Sequence, residues 1–379
     1  MQHHVELVGV NDINKGAELM LHAVARQQAD HLRGWTVSVA QDATSYEARA
    51  RAGVRQRVWF DRLGPVGLRA GDLVPRRVRE PLGLVAEREV SAVLDASGFA
   101  YSDQQRREPF EARVTAYRRW RRQGKRIVLL PQAFGPFQTA ATRRLGADLL
   151  SHVDLAFARD GDSFTALASL GTDTPVERAP DFTGLVHVEP TTAQRQRYGE
   201  RVCVVPNFRM IDRVPAGAAD AYREVLLAAF RELDRLGTEP FALIVNTKKD
   251  ASLIASLSTS LGREIERVEP DDPLDVKRIL GVCDLVVGSR FHGLVSSLAQ
   301  GVPAVALGWS HKYPALMADY GCGDLLFDVG DPAALLDALS ALLDPAERAR
   351  RRADLLHRAA GLEAASHDMW RRVAGVLRR

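Results

Sequence analysis

The chain has 379 residues, which exceeds what one hydrophobic core usually serves, so its length predicts two domains. Apolar residues make up 46% of the sequence and charged residues 26%, a composition typical of soluble globular proteins and not of disordered ones. The net charge of +3 argues against a strongly cationic nucleic-acid-binding protein, so we expect no nucleic-acid partner.

Short apolar runs alternate with amphipathic stretches along most of the chain. Many of the runs are nearly continuous Val, Ile, Leu and Ala, which is typical of strands buried on both faces of a parallel sheet. The predicted strands are residues 5–10, 36–40, 57–60, 92–95, 127–130, 155–158, 202–205, 241–246, 264–268, 285–288, 304–307 and 325–329. The predicted helices include residues 16–30, 106–123, 139–150, 217–236 and 332–343. This alternation predicts an α/β fold of two Rossmann-like, doubly wound domains that face a central cleft.

The predicted boundary between the domains lies in residues 179–198, a polar stretch without helical or strand periodicity. We expect an N-terminal α/β domain over residues 1–185 and a C-terminal α/β domain over residues 195–345. Residues 346–379 are predicted to form helices, the last of which packs back on the N-terminal domain. The Arg-, Gly- and Pro-rich residues 64–81 are predicted to form an irregular surface insertion.

Several classes of protein are not indicated by the sequence. No apolar run approaches the ~18 residues of a membrane span, and the N-terminus lacks the pattern of a secretory signal. The three widely spaced cysteines, Cys203, Cys283 and Cys322, are interpreted as reduced thiols of a cytosolic protein. There is no dinucleotide fingerprint, Walker A motif, zinc-ligand spacing or nucleophile elbow. We therefore expect chemistry by cations, hydrogen-bond donors and a proton donor, without a metal or bound cofactor.

The loop after the first strand contains Asn14, Lys15, Gly16 and Glu18. Gly16 permits a tight turn, and the following helix presents free backbone N–H groups near the Lys15 cation. One interpretation is a cradle for an anion or a sugar hydroxyl. The other is an ordinary turn between strand and helix, with an Asn cap.

Two further loops follow predicted strands of the first domain. Gln132, in the Pro- and Gly-rich residues 130–137, could contact a polar ligand through its amide, or the loop could be structural only. Arg159 directly follows the predicted strand at residues 155–158. Its guanidinium could pair with Asp160 or Asp162, or it could bind a carboxylate or phosphate.

The strongest candidate is the run Ser289-Arg290-Phe291-His292-Gly293, in which a buried strand ends and a helix begins. An Arg, a His and the N–H groups of a helix N-terminus would converge there, an arrangement suited to holding a phosphate and delivering a proton. The next turn, after residues 304–307, adds His311 and Lys312 to the same predicted corner.

Taken together, these loops resemble the polysaccharide pyruvyl transferase family. The matching pieces occur in family order over most of the chain. The more specific ones are Arg159-Asp160 with Ser163 and Leu170-Gly171, and Arg290-Phe291-His292-Gly293 with Gly301-Val302-Pro303. Others are the N-x-G-x-E turn, Pro131-Gln132 with Gly135-Pro136-Phe137, Asp181, and Lys312.

The resemblance implies a two-domain, GT-B-like fold and an enzyme that uses phosphoenolpyruvate as co-substrate. Members of the family transfer its enolpyruvyl carbons onto two hydroxyls of a sugar, forming a pyruvate ketal and releasing phosphate. The resemblance also implies that the first domain binds the saccharide acceptor. Two departures from the family pattern lie there, Ala17 and the run Asp95-Ala96-Ser97-Gly98 where relatives have a Gly-rich turn.

By the same resemblance, Arg159 and Arg290 would bind the carboxylate and phosphate of phosphoenolpyruvate, and His292 would be the general acid. Ser289, Gly293 and the first-loop residues would contact substrate. Lys312 or His311 would stabilise the departing phosphate. The base is left open among Asp12, Glu18 and Asp181.

Two alternatives stand beside this hypothesis: a nucleotide-sugar-dependent glycosyltransferase of the same fold, and a non-catalytic glycan- or anion-binding relative. A further hypothesis concerns residues 343–379, where nine Arg against five acidic residues give a net charge of +4. This tail is either a solvated face or a peripheral contact with an anionic membrane surface, which would suit a cytoplasmic enzyme with a lipid-linked acceptor.

Overall fold

The structure is a computed structural model that describes residues 3–58, 71–212, 214, 216–308, 310 and 312–379. The chain divides into two compact units, and each is treated by itself. The first unit consists of Met1–Asp12, Met20–Phe182 and Ala365–Arg379. The second unit consists of Ile13–Leu19 and Thr183–Ala364.

The first unit is built on a parallel sheet. Its strands, counted over the described residues, are β1 (His3–Val8), β2 (Trp35–Ala40), β3 (Arg55–Arg57), β4 (Leu84–Val85), β5 (Val90–Asp95), β6 (Arg126–Gln132), β7 (Leu155–Ala158) and β8 (Val176–Arg178). They pair in the order β4-β3-β2-β1-β5-β6-β7-β8. The strand order reverses between β1 and β5, and such a switch point is where ligands of doubly wound sheets usually bind.

Helices complete the first unit. They are α1 (Lys15–Arg26), whose residues from Met20 onward belong to this unit, α2 (Tyr46–Ala52), α3 (Arg76–Arg79), α4 (Arg107–Arg122), α5 (Ala140–Ser151) and α6 (Gly161–Ala168). Helix α4 shows why they form: Phe110, Val114, Tyr117 and Trp120 recur at helical spacing and are buried. This stripe packs in the core with residues of β5 and β6, so burial of apolar surface fixes the helix on the sheet.

The second unit repeats the plan with a smaller parallel sheet. Its strands in the described part of the chain are β9 (Val202–Val205), β10 (Phe241–Leu243), β11 (Arg267–Val268), β12 (Leu285–Gly288), β13 (Ala304–Leu307) and β14 (Leu326–Phe327). Their order is β11-β10-β9-β12-β13-β14, and all pairs are parallel. The switch point therefore lies between β9 and β12.

The helices that follow Phe182 are α7 (Thr192–Tyr198), α8 (Arg209–Asp212), α9 (Ala216–Arg235), α10 (Thr247–Leu261), α11 (Pro273–Leu280), α12 (Phe291–Leu298), α13 (Lys312–Asp319), α14 (Pro332–Leu342) and α15 (Pro345–Leu377). The last residues of α15, from Ala365 on, belong to the first unit. There the ring of Trp370 meets Phe182 edge to face, with centroids 5.9 Å apart.

The predicted class of two Rossmann-like α/β domains is confirmed, and several details differ. The stretch around residue 191, interpreted as irregular, begins helix α7, because Thr191 and Gln194 form a capping box. The tail forms one long helix instead of several. Residues 13–19 belong to the second unit, although the prediction placed them in the N-terminal domain. Of the predicted insertion at 64–81, residues 64–70 lie outside the described residues, and α3 forms in the remainder.

The Arg-rich tail forms many ion pairs. Five of its arginines pair with acidic residues: Arg348 with Asp284, Arg350 with Glu347, Arg351 with Asp324, Arg371 with Asp368, and Arg372 with Glu177. This pairing balances much of the local positive charge and favours the interpretation of a solvated face. Over the residues described, no helix combines the length and the apolar character that a bilayer crossing requires.

A buried network of charges lies in the first unit. Glu6 on β1 is fully buried, and Arg57 Nε lies 2.7 Å from its Oε1. Arg57 Nη1 also lies 3.2 Å from Glu87 Oε2, and Lys125 Nζ lies 2.7 Å from Glu87 Oε1. Burial raises the pKa of Glu6, an effect that the neighbouring Arg57 charge opposes. The carboxylate therefore depends on this partner to stay charged inside the unit.

We expect Arg57→Met to destabilise the first unit strongly, because it leaves two buried carboxylates without this partner. The loss of unfolding free energy should be about 3–5 kcal/mol, measured by urea unfolding. The matched control is Arg76→Met, since Arg76 pairs with Glu80 in an exposed position, and its effect should stay below about 1 kcal/mol. Equal effects of the two substitutions would contradict the role assigned to Arg57.

Candidate functional site

The turn after β12 is held by buried hydrogen bonds at the switch point of the second unit. The carbonyl of Ser289 accepts from Asn207 Nδ2 at 2.7 Å and from the Tyr313 hydroxyl at 2.9 Å. The Tyr222 hydroxyl donates to Ser289 Oγ at 2.9 Å and accepts from the backbone N–H of Asn207 at 3.0 Å. Burial raises the pKa of Tyr222 to about 12, so its hydroxyl keeps its proton at neutral pH. The turn is therefore fixed by the fold itself.

Arg290, the N-cap residue of α12, is paired with a buried aspartate. Its Nη2 donates to Asp250 Oδ1 at 2.6 Å, and its Nε donates to the carbonyl of Pro206 at 3.3 Å. Asp250 is completely buried in the first turn of α10 and also accepts the backbone N–H of Phe208 at 2.8 Å. Burial raises the pKa of Asp250, whereas the Arg290 charge lowers it. Asp250 was not among the residues predicted from the sequence, because an Asp in a first helical turn is ordinary.

His292 lies in the first turn of α12, against the loop that contains Gly16. A Cβ built on Gly16 would lie only 2.5 Å from His292 Nδ1, so this position admits no side chain while the imidazole stays in place. The imidazole and the ring of Phe291 are nearly perpendicular, with centroids 5.5 Å apart. The structure thus brings the first loop and the Arg-x-His motif together within the second unit.

The first loop is tied down by backbone and side-chain bonds. Asn14 forms an antiparallel bridge with Asn246, and the backbone N–H of Lys15 donates to the carbonyl of Val245 at 3.1 Å. Asn14 Oδ1 accepts the N–H of Gly16 at 3.1 Å, which matches the interpretation of an Asn-capped turn.

The charge of Lys15 is balanced within this loop. Its Nζ lies 2.8 Å from Glu18 Oε2 and donates to the carbonyl of Asp271 at 2.6 Å. The predicted cradle therefore offers less positive charge than the sequence suggested, and its cation stabilises the turn.

Lys312 begins α13 and lies near two aromatic rings. Its Nζ is 5.4 Å from the centroid of Phe291 and 5.5 Å from that of Tyr313, within the range of cation–π contacts. An ideal Cβ on Gly293 would lie 3.4 Å from Val205 Cγ1, an ordinary van der Waals distance, so α12 starts close to β9 at this residue. His311 lies outside the described residues.

In the first unit, Arg159 follows β7 and is also paired with an aspartate. Its Nη1 lies 3.2 Å from Asp181 Oδ2, and both side chains are 5% exposed. Asp160 instead caps α6 by accepting the N–H of Ser163 at 2.7 Å. Asp160 and Asp162 were the predicted partners of Arg159, and Asp181 was a candidate base. In the structure, Asp181 is the partner.

Gln132 lies beside the switch point of the first unit and contacts the last residue of β5. Its Nε2 donates to the carbonyl of Asp95 at 3.2 Å. The buried Asp95 carboxylate accepts from the hydroxyls of Tyr101 at 2.6 Å and Tyr117 at 2.5 Å. Burial and this carboxylate raise the pKa of both tyrosines. The amide nitrogen of Gln132 thus holds the start of the run Asp95-Ala96-Ser97-Gly98, which stands where relatives have a Gly-rich turn.

The predicted residues fall into two groups. Nine of them belong to the second unit: Asn14, Lys15, Gly16, Glu18, Ser289, Arg290, His292, Gly293 and Lys312. Arg159 and Gln132 belong to the first unit. In the ranges that the structure covers, no three His, Cys, Asp or Glu side chains are grouped as metal ligands would be.

The fold is shared with solved enzymes of GT-B architecture. The Anabaena protein HepE, solved with UDP and glucose, superposes with a TM-score of 0.62 at 12% identity, covering 100% of this chain and 99% of HepE. The UDP-GlcNAc 2-epimerase from Neisseria meningitidis superposes with a TM-score of 0.60 at 11% identity, covering 97% and 98% of the two chains. These similarities define the protein as a member of the GT-B structural class.

The sequence narrows this class to one family. The model of the family described as polysaccharide pyruvyl transferase matches residues 14–311, which is most of the chain and includes the first loop and the Arg-x-His motif. The chain belongs to the polysaccharide pyruvyl transferase family, and the protein is a transferase.

We expect Gly16→Ala to displace His292. On the prediction that His292 is catalytic, transferase activity should fall about tenfold or more, since small misplacements of catalytic groups are costly. The control is Gly161→Ala, also in the first turn of a helix that follows a strand, where an added Cβ meets nothing within 4 Å. Steady-state kinetics and a crystal structure of each variant provide the measurements. An unmoved imidazole in the crystal structure of Gly16→Ala would show that the loop does not position it, and a displaced imidazole with full activity would contradict the catalytic role of His292.

Proposed function

We propose that the protein transfers the enolpyruvyl group of phosphoenolpyruvate onto a sugar of a polysaccharide or of its lipid-linked precursor. The product is a cyclic pyruvate ketal, and phosphate is released. The observation that carries the proposal is the position of Arg290 and His292 two residues apart on a turn that buried hydrogen bonds fix at a sheet switch point. Family membership supports the same conclusion.

Phosphoenolpyruvate has two anionic groups, a carboxylate and a phosphate. The second unit offers hydrogen-bond donors and positive charge for one of them. Arg290 supplies a guanidinium, α12 supplies N-terminal backbone N–H groups, and Lys312 lies on the neighbouring Phe291 ring. The assignment of Arg159 to the other anionic group stays a prediction. So do the substrate contacts of Gln132 and of the first-loop residues.

The proposed chemistry begins with proton transfer from His292 to the methylene carbon of phosphoenolpyruvate. This step converts the methylene to a methyl group and leaves positive charge on the adjacent carbon, which one sugar hydroxyl attacks. The second hydroxyl then forms the other C–O bond as the bond to phosphate breaks. Of the two hydroxyl protons, one replaces the proton lost by His292 and the other leaves with phosphate.

The base for the hydroxyls is not assigned. Each candidate from the sequence already has a partner: Asp12 accepts the backbone N–H of Ser45, Glu18 pairs with Lys15, and Asp181 pairs with Arg159. A proton could still pass from a hydroxyl to the departing phosphate, so the proposed reaction does not need a dedicated carboxylate base. The lipid linkage of the acceptor and the membrane contact of the tail stay predictions.

The assay that tests the proposal incubates the purified protein with phosphoenolpyruvate and synthetic or lipid-linked acceptors. Mass spectrometry should detect the pyruvyl ketal, and phosphate release should require both substrates. Transfer from a UDP-sugar without any binding of phosphoenolpyruvate would favour the glycosyltransferase alternative. Binding of a glycan without turnover would favour the non-catalytic alternative.

We expect His292→Ala to lower kcat by about 10²–10⁴-fold with a smaller change in the KM for phosphoenolpyruvate, because a positioned acid acts mainly in the transition state. The control is His357→Ala, an exposed position on α15, which should leave both constants unchanged. A fully active His292→Ala variant would remove the general-acid assignment.

A further inference from the structure

The guanidinium of Arg290 is constrained on two of its three nitrogens. Nη2 contacts both oxygens of Asp250, and Nε donates to the carbonyl of Pro206. Among the described residues, none accepts a hydrogen bond from its Nη1. The side chain is 12% exposed, so the guanidinium is largely enclosed. Arg290 therefore presents one nitrogen to a ligand, and the paired edge of Nε and Nη2 is already occupied.

Asp250 is itself held firmly. It is completely buried, and the backbone N–H of Phe208 donates to its Oδ1 at 2.8 Å. Phe208 follows Asn207, whose side chain donates to the carbonyl of Ser289. Two consecutive residues therefore hold the Asp250 carboxylate and the turn before Arg290. Such a carboxylate can fix the direction of an arginine, because neither partner is free to reorient alone.

The same helix start also holds the loop that lies against His292. Asn246, the N-cap residue of α10, bridges to Asn14, and Gly16 lies against the imidazole. Asp250 lies one turn further along α10 and contacts Arg290. The start of α10 thus contacts both the loop that borders His292 and the guanidinium of Arg290.

We propose that Asp250 is a positioning residue that directs Nη1 of Arg290 at an anionic group of the donor. The proposal rests on the proposed function, in which Arg290 binds phosphoenolpyruvate. The negative charge of Asp250 opposes the binding of an anion beside it, so a gain in affinity does not explain its presence. Its contribution is the fixed orientation of the guanidinium in the transition state.

A positioning role for Asp250 predicts a specific kinetic effect of Asp250→Asn. Asparagine has the same shape and keeps an oxygen for the N–H of Phe208, but it removes the negative charge. We expect kcat to fall about tenfold, as displaced catalytic groups do, while the KM for phosphoenolpyruvate stays the same or decreases. A merely structural role would instead lower the unfolding midpoint and change the KM values of donor and acceptor alike.

The matched control is Asp324→Asn, which breaks another Asp–Arg pair of the second unit, that with Arg351. It should leave kcat and both KM values unchanged. A double-mutant cycle with Arg290→Lys tests whether Asp250 acts through Arg290. In the Arg290→Lys background, Asp250→Asn should change kcat less than twofold. A kcat effect of equal size in both backgrounds, or an unchanged kcat in the single variant, would overturn the proposal.

Crystal structures distinguish failure of this proposal from failure of the proposed function. If the wild-type protein does not use phosphoenolpyruvate, the proposed function fails. Crystal structures of the wild type and Asp250→Asn, each soaked with inorganic phosphate, then test the positioning alone. The guanidinium should keep its place in the wild type and turn in the variant. An identical Arg290 conformation in both structures would overturn the positioning role.

Discussion

A turn that leaves the centre of a parallel sheet must satisfy its backbone polar groups without the help of a neighbouring strand. In the second unit this constraint falls on Ser289, whose carbonyl and hydroxyl are bonded by Asn207, Tyr222 and Tyr313. Because Arg290 directly follows this residue, its backbone position is set by buried side chains from other parts of the unit. The placement of Arg290 thus depends on the polar packing beneath the turn.

The charges of the site are arranged as pairs. Arg290 pairs with Asp250, and Lys15 pairs with Glu18. In the first unit, Arg159 pairs with an aspartate in the same way. Counting cations along the sequence therefore overstates the net positive charge available to an anion. In the proposed function, recognition of an anion would therefore rely on hydrogen bonds of fixed direction more than on net charge. Groups fixed in this way can stabilise a transition state more than a ground state.

The sequence predicted the sheets where apolar runs are continuous, and β7, β9, β12 and β13 have the predicted bounds. It missed β4 and β8, which are only two and three residues long, too short to show a pattern. The Arg-x-His motif was found because it is local. Asp250 and Asn207 were not, because they lie 40 and 82 residues from the positions that they support. Such partnerships arise from strand order, which local periodicity does not encode.

The assignment of Ile13–Leu19 to the second unit has a consequence for protein engineering. A chimera of two relatives joined near Thr183 would combine a Gly16 loop from one parent with a His292 environment from the other. The Gly16 loop of one parent would then have to pack against the imidazole of the other, although the two had not evolved in the same protein. A chimera that keeps the loop and the imidazole from the same parent must exchange two segments together, the short one at Ile13–Leu19 and the long one from Thr183 to Ala364.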